Sequence, residues 1–281
     1  MKKFSSKCLI WTLVLFMIGL SLLLTAGLSG GFNQLKSEAT KGVNTINVMG
    51  YEFPVSLNFG KEAYKGSGKS VDIVIENSGA TRFLDIEIGA SDVEMLVYDG
   101  QDIKVEGTNV DGEIVCEIEG SKCKIEQKSN IKNFSLGNAA ASSIKIYIPE
   151  GKVYEQMSAE VGAGKFTVSD ITAGTMEFEI GAGDVRMENA QCSKLDVECG
   201  AGNFIYNGKI IDEADVEVAA GNLEMTMDKF ENYNYEISAT VGNVNLGGAR
   251  QNAFGTDIEK KHDGATANIK VEVAVGNVDI K

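Results

Sequence analysis

Four consecutive stretches decide the fold of this chain: SAEVGAGKFTV at residues 158–168, EFEIGAGDVRM at 177–187, DVECGAGNFIY at 196–206 and VEVAAGNLEM at 216–225. Each stretch has a glycine at the same place, and these glycines are 19 residues apart: Gly164, Gly183, Gly202 and Gly221. Weaker copies surround Gly89, Gly242 and Gly276. A fixed period of this kind is the signature of a repeat architecture.

Within each copy, apolar residues alternate with polar ones, which is the period of a β-strand. The alternating apolar residues are Met176, Phe178 and Ile180, then Leu195, Val197 and Cys199, then Ala214, Val216 and Val218. A helix is disfavoured, because each interior glycine would cost about 1 kcal/mol. No copy is long enough to bury its own apolar face, so the copies are expected to stack. The sequence therefore predicts an all-β, single-stack parallel β-solenoid, β-helix-like, with rungs of 19 residues that each hold two or three short strands.

The Gly-Ala-Gly or Gly-Asn step in each copy is predicted to form a corner of the rung. Glycine suits a corner, because it adopts positive φ and lets two backbones approach closely. The predicted corner residues are Gly162, Gly164, Gly181, Gly183, Gly200, Gly202, Gly221, Gly242 and Gly276.

The N-terminus predicts a membrane anchor. An apolar run extends from Cys8 to about Leu28, and Lys2, Lys3 and Lys7 precede it. At 1.5 Å per residue its 21 residues span about 31 Å, which matches a bilayer core. The lysines indicate a cytoplasmic N-terminus. We therefore expect a cytoplasmic stub and transmembrane helix in residues 1–35 and an extracytoplasmic domain in 36–281, bound to the cell membrane as a single-pass protein.

Cleavage of the same segment as a signal peptide is the alternative, since small residues lie near its end: Thr25, Ala26, Gly27 and Ser29. The remaining domain would then be secreted.

The exported part is strongly acidic, because all 40 Asp and Glu residues follow the apolar run and only 23 of the 26 Lys and Arg residues do, a net charge of −17. Nucleic acid is an unsuitable partner, since binding phosphates requires a basic face. An envelope protein, a cationic peptide or a glycan fits better.

The repeats also predict two ladders of carboxylates. Stacking would align Glu160, Glu179, Glu198 and Glu217 in one ladder and Glu177, Asp196 and Asp215 in another. Glu87 and Asp85 repeat the arrangement before Gly89. Two interpretations remain open: a solvated face that protects the sheet from aggregation, and a binding face for divalent cations or a cationic peptide.

Cys116 and Cys123 lie in an alternating stretch around a predicted Glu119-Gly120 turn, which indicates a hairpin insertion near residues 111–128. That turn would place the two cysteines opposite each other. A disulfide and two reduced, packed thiols are both compatible with this pattern.

The repeated apolar-x-apolar-Gly-Ala-Gly-Asn/Asp-apolar units between Ala159 and Leu223 resemble the bacterial "putative adhesin" domain, a domain of unknown function related to the toastrack-type domains of cell-envelope stress proteins. The run IKIYIPEG at residues 144–151, the terminal VGNVDI and the N-terminal anchor support the resemblance, which covers about residues 43–281. It implies an extracytoplasmic β-solenoid without established enzymatic activity, and it brings no catalytic residues.

The favoured function is therefore a membrane-anchored, non-enzymatic module in adhesion, envelope scaffolding or stress sensing. The alternative is a polysaccharide-active β-helix lyase or hydrolase that uses the acidic strand face. His262 is the only histidine and lies in a polar run, so the sequence offers no nucleophile-histidine-acid set. No catalytic residue, cofactor or specific metal site is predicted. For a glycan site, the aromatic side chains available are Tyr98, Tyr147, Tyr154, Tyr206, Tyr233 and Tyr235.

Overall fold

A computed structural model of the chain describes residues 45–48, 51–54, 70–110, 112–128 and 142–281. Within these ranges the protein is built from strands, joined by 3-10 turns at Ser78–Ala80 and Phe230–Asn232. No helix in these ranges is long and apolar enough to cross a membrane. The predicted anchor at residues 8–28 lies outside them and stays a prediction.

The strands fall into two units. One unit contains an antiparallel pair, β1 (Thr45–Val48) and β2 (Tyr51–Pro54). The other contains a sheet of twelve strands. Its strands are β3 (Val71–Ile75), β4 (Phe83–Ala90), β5 (Asp92–Tyr98), β6 (Ile103–Thr108), β7 (Glu113–Glu119), β8 (Lys122–Lys128), β9 (Ser143–Pro149), β10 (Val153–Ser169), β11 (Thr172–Met227), β12 (Tyr233–Leu246), β13 (Ala249–Lys260) and β14 (Ala267–Ile280).

Neighbouring rungs of the stack pair with an offset of 19 residues, which is the period of the sequence repeat. β10 pairs in parallel with β11 so that Gln156 lies beside Thr175 and Val168 beside Met187. β11 is a run of 56 residues that contains three successive rungs. Inside it, the Asn203 amide donates to Asp184, again 19 residues away. The prediction of an all-β stack of 19-residue rungs is confirmed.

Each rung bends at its glycine corner into two arms. In β10, the residues before the corner pair with β4 and those after it pair with β5. We call these the first arm and the second arm. The apolar residues of both arms point into one core, where the ring of Phe178 from a first arm lies 5.9 Å from Phe166 and 6.4 Å from Phe204, both on second arms. Burying a side chain of this size contributes about 1.5–3 kcal/mol.

Close backbone approach explains the glycines at the corner. A Cβ on Gly221 would lie 1.6 Å from the carbonyl oxygen of Gly202 in the previous rung, and the φ of Gly221 is 154°. Any other residue there would push the rungs apart. The other predicted corner glycines lie in the same part of their rungs.

The stack differs from an all-parallel solenoid at both ends. β13 is antiparallel to β12, and the Gly247-Gly248 turn between them has positive φ at both residues, 58° and 85°. This is the backbone of a tight hairpin, which forces antiparallel pairing. At the other end, β3, β6 and β9 form antiparallel pairs, as do β7 and β8.

The spatial order of the last strands also departs from the chain order. β14 lies between β11 and β12 and is parallel to both. Gly276 therefore stands between Gly221 and Gly242. The connection from β13 to β14 crosses the end of β12, where the His262 amide donates to Asn234 Oδ1.

Candidate functional site

The outer surface of the first arms carries a continuous line of glutamates on seven adjacent rungs or strands, which we call the glutamate row. Registers between β8, β4, β10, β11 and β14 align these residues, and the 19-residue period continues the line within β11. Its members are, in spatial order, Glu126, Glu87, Glu160, Glu179, Glu198, Glu217 and Glu272. Neighbouring strands are about 4.8 Å apart, so each of the five interior carboxylates faces another on both sides.

A second line runs beside it, two residues earlier in each strand, and we call it the mixed row. Its members are Lys124, Asp85, Ser158, Glu177, Asp196, Asp215 and Lys270. This row places a lysine towards each end of the acidic surface and carboxylates in the middle. The sequence prediction included the central carboxylates of both rows, together with Asp85 and Glu87.

The flanking lysines neutralise only the ends of the surface. Lys124 lies 2.8 Å from Glu87 and 3.5 Å from Glu126. Lys270 lies 3.3 Å from Asp215 and 2.9 Å from Glu272. Glu126 and Glu272 were not predicted from the sequence, because the strands that carry them do not follow the Gly-Ala-Gly pattern.

The centre of the surface has a different environment. Among the described residues, no lysine or arginine forms an ion pair with Glu160, Glu177, Glu179, Asp196 or Glu198. The Gln156 amide donates to Glu177 at 2.9 Å. These carboxylates, with Asp85 and Glu87, line a shallow open groove of about 300 Å³.

Partial burial, followed by the crowding of like charges, lowers the acidity of three carboxylates on this surface. Partial burial, together with Glu179 and Asp196, raises the pKa of Glu198 above its ordinary value. Burial and then Asp215 and Glu177 raise the pKa of Asp196 in the same way. Glu217 follows, since burial and the neighbouring Glu272 raise its pKa. Keeping these three carboxylates ionised at neutral pH therefore costs free energy in the folded state.

The carboxylates form a line and do not converge on one point. In the part of the chain that the structure describes, no group of three or more His, Cys, Asp or Glu side chains has an arrangement that could hold a metal ion. A line of charges with a regular spacing matches an extended ligand with several positive charges.

The corner also carries a row of hydrogen-bonded side-chain amides. Asn243 donates to Asn277, Asn277 to Asn222, and Asn222 to Asn203, each at 2.8 Å. Asn203 then donates to the carboxylate of Asp184 at 2.6 Å. All the amides of this row point the same way, so the chain of hydrogen bonds ends on a negative charge.

The two cysteines of the β7–β8 hairpin are not opposite each other. The turn is Gly120-Ser121, one residue later than predicted, which shifts the pairing by two residues. Cys116 therefore faces Ile125, and Cys123 faces Ile118. Both thiols are free, and burial raises the pKa of Cys116 to about 11 and that of Cys123 to about 12. The hairpin is part of the stack, since β8 pairs in parallel with β4.

The remaining candidates have structural environments. His262 Nδ1 lies 2.7 Å from the Tyr233 carbonyl oxygen, and its ring packs edge-on against Phe230. Four of the six tyrosines considered for a glycan site are buried in the core: Tyr154, Tyr206, Tyr233 and Tyr235. Tyr98 and Tyr147 are half-buried, with ring centroids 5.9 Å apart.

These features agree with the family to which the sequence assigns the chain. Residues 84–281 match the family described as Toastrack DUF4097. The match covers more than half of the chain, so the protein belongs to this family. No curated protein sequence matches the chain.

Three solved structures are similar to this chain. A "putative cell adhesion protein" from Clostridium sporogenes ATCC 15579 is 20% identical, with 76% of this chain and 99% of that chain covered and a TM-score of 0.48. A "putative adhesin" from Bacteroides fragilis NCTC 9343 is 9% identical, with 77% and 99% covered and a TM-score of 0.35. A "putative adhesin" from Parabacteroides distasonis ATCC 8503 is 12% identical, with 77% and 99% covered and a TM-score of 0.31.

Proposed function

We propose that this chain is a membrane-anchored, extracytoplasmic and non-enzymatic adhesin-like module that acts in adhesion, envelope scaffolding or stress sensing. Its acidic first-arm surface binds a polycationic partner. Membership of the Toastrack family supports a non-enzymatic, adhesin-like role. The apolar run from Cys8 to Leu28 and the three lysines before it support anchoring with the domain outside.

One observation carries the choice of partner: among the described residues, no lysine or arginine forms an ion pair at the centre of the glutamate row, whereas a lysine does so towards each end. Lys124 and Lys270 occupy the mixed row towards its ends. In the centre, the same row holds Glu177 and Asp196. A ligand with several positive charges at a spacing of about 5 Å would relieve the repulsion there.

Thermal melting tests this proposal. The full-length chain in mild detergent is heated with and without a polylysine peptide, and separately with millimolar calcium. A ligand that binds only the folded state raises the melting temperature. We expect a clear rise with polylysine, and we expect the rise to be lost in Glu179→Gln/Glu198→Gln.

The matched control is Glu224→Gln, which changes a second-arm glutamate paired with Lys281 at 2.6 Å. This variant should keep the full response to polylysine. An unchanged melting temperature of the unaltered chain with polylysine would contradict the proposal. A melting temperature that rises with calcium but not with polylysine would indicate that the ligand is a divalent ion and not a polycation.

Anchoring has its own test. Intact cells that produce the chain with a C-terminal epitope are treated with protease, and membranes are then separated from the medium. We expect the epitope to be membrane-bound and protease-sensitive. Recovery of the epitope in the medium, at a mass reduced by the N-terminal segment, would show a cleaved and secreted domain.

A further inference from the structure

The corner of the stack carries exposed aliphatic side chains on three adjacent strands. Val275 of β14 is 54% exposed and lies beside Val241 of β12, which is 41% exposed. On its other side, Val275 lies beside Ala220 of β11. Each of these residues comes directly before a corner glycine. We call Ala220, Val275 and Val241 the aliphatic row.

Three amides of the corner lie two residues later in the same strands. Asn222, Asn277 and Asn243 are exposed and follow the same registers. A side-chain amide has two N–H donors and an oxygen with two lone pairs. The hydrogen bonds along the row use one N–H of each amide and one lone pair of Asn222 and of Asn277. One donor and one acceptor therefore remain on each amide for a ligand, repeated at the strand spacing of about 4.8 Å.

This part of the corner is uncharged, in contrast to the rest of the acidic chain. No charged residue occurs in the three segments that form it, 218–223, 239–246 and 273–278. On β14, the segment ends at Glu272 on one side and at Asp279 on the other. A polycation has no carboxylate to bind between these acids, and the acids on both sides repel a polyanion. The surface matches an uncharged ligand that has both apolar and hydrogen-bonding groups.

We propose that this corner binds a linear, uncharged, β-1,4-linked glycan that lies along the stack with one sugar ring on each strand. A hydroxyl group is both a donor and an acceptor, so one sugar hydroxyl can bond to the remaining N–H and to the remaining lone pair of one amide. The C–H groups of the ring then pack on the aliphatic row. Successive sugars of such a chain repeat at an interval close to the strand spacing, which keeps the two patterns in step over three strands.

The test measures binding of three uncharged probes, chitohexaose, cellohexaose and mannohexaose, by titration calorimetry. It uses the full-length chain in a detergent without a sugar headgroup. In Val241→Glu/Val275→Glu, we expect binding to weaken by about tenfold or more, because the sugar loses its apolar contact and must desolvate two carboxylates. Val74→Glu/Val153→Glu is the matched control, since it adds the same charges at valines that are 57% and 62% exposed elsewhere. The control variant should bind the glycan as the unaltered chain does.

Two outcomes would overturn the inference: no binding of any of the three glycans to the unaltered chain, or equal binding by the corner variant and the control variant. A dimer of the unaltered chain that the corner variant loses, seen by light scattering, would assign the corner to a second copy and overturn it as well.

The glycan site and the acidic first-arm surface are separate, so their tests can fail independently. The melting response to polylysine, measured on the same samples, depends on Glu179 and Glu198 and should persist in the corner variant. Its absence in the unaltered chain would contradict the polycationic partner and leave the glycan site in place.

Discussion

Removing two charges from the centre of the glutamate row should stabilise the fold in low salt. Glu179→Gln/Glu198→Gln eliminates three neighbouring repulsions, those between Glu160 and Glu179, Glu179 and Glu198, and Glu198 and Glu217. At a separation of about 4.8 Å and the dielectric of water, each is worth about 0.9 kcal/mol. Because the side chains splay into solvent, we expect a net gain of about 1–2 kcal/mol. For a domain of this size, that raises the melting temperature by about 3–6 °C.

The assay is thermal melting and urea unfolding of the full-length chain in 10 mM buffer and in 1 M salt. In 1 M salt the screening length falls to about 3 Å, so the gain should almost vanish. Glu224→Gln is the control, since it breaks the pair with Lys281 and should stabilise nothing. A double variant that is no more stable than the unaltered chain in low salt would refute the reasoning.

Three further predictions concern pH, the amide row and the core. The folded state raises the pKa values of Asp196, Glu198 and Glu217, so it binds protons more readily than the unfolded chain. Their contribution to stability is fully present below their ordinary pKa values and is lost as the pH rises through the folded values, so urea titrations should give a larger free energy of unfolding at pH 5 than at pH 7.5. Asn222→Asp removes the donor to Asn203 and should cost about 1–2 kcal/mol in the same assay. Phe178→Ala should cost about 3–5 kcal/mol and lower the melting temperature sharply, because this ring is 3% exposed and contacts rings of two other rungs.

The repeated rungs could be predicted from the sequence because periodicity and glycine spacing are local signals. Alternation in 176–180 and 195–199 predicts strands, and the constant interval between Gly164 and Gly183 predicts their register. The same regularity predicts which carboxylates align. Each of these inferences needs only a single repeat and its nearest neighbour.

The order of the last strands could not be predicted in this way. The segments around Gly242 and Gly276 read VGNVNL and VGNVDI, and either one has the alternation needed to pack beside Gly221. Only the connections decide between them: the Gly247-Gly248 turn folds β13 back on β12, and β14 then enters between β12 and β11. The lysines beside the acidic surface depend on the same long-range pairing, since Lys270 belongs to β14.

The register of the β7–β8 hairpin could not be predicted from the sequence either, although its two strands are close together in the chain. Alternation alone permits a turn at Glu119-Gly120 or at Gly120-Ser121, and both keep Cys123 and Ile125 on the same side of the sheet. Gly120 has φ 61°, which suits the first position of a two-residue hairpin turn. The side of the sheet that each cysteine faces is therefore predictable from the pattern, whereas the residue opposite each cysteine is not.

The distribution of charge differs between the ends and the centre of the acidic surface. A surface that only prevents aggregation requires charges of either sign, and Lys124 and Lys270 show that the mixed row accommodates lysine next to its glutamates. In the central rungs, the chain instead keeps five carboxylates together without an ion pair among the described residues, and the core beneath them must offset their repulsion. Val197 and Phe178 are almost fully buried directly behind these acids. The fold can carry this electrostatic cost because each rung buries apolar side chains from both arms, and the proposed polycationic partner would relieve it.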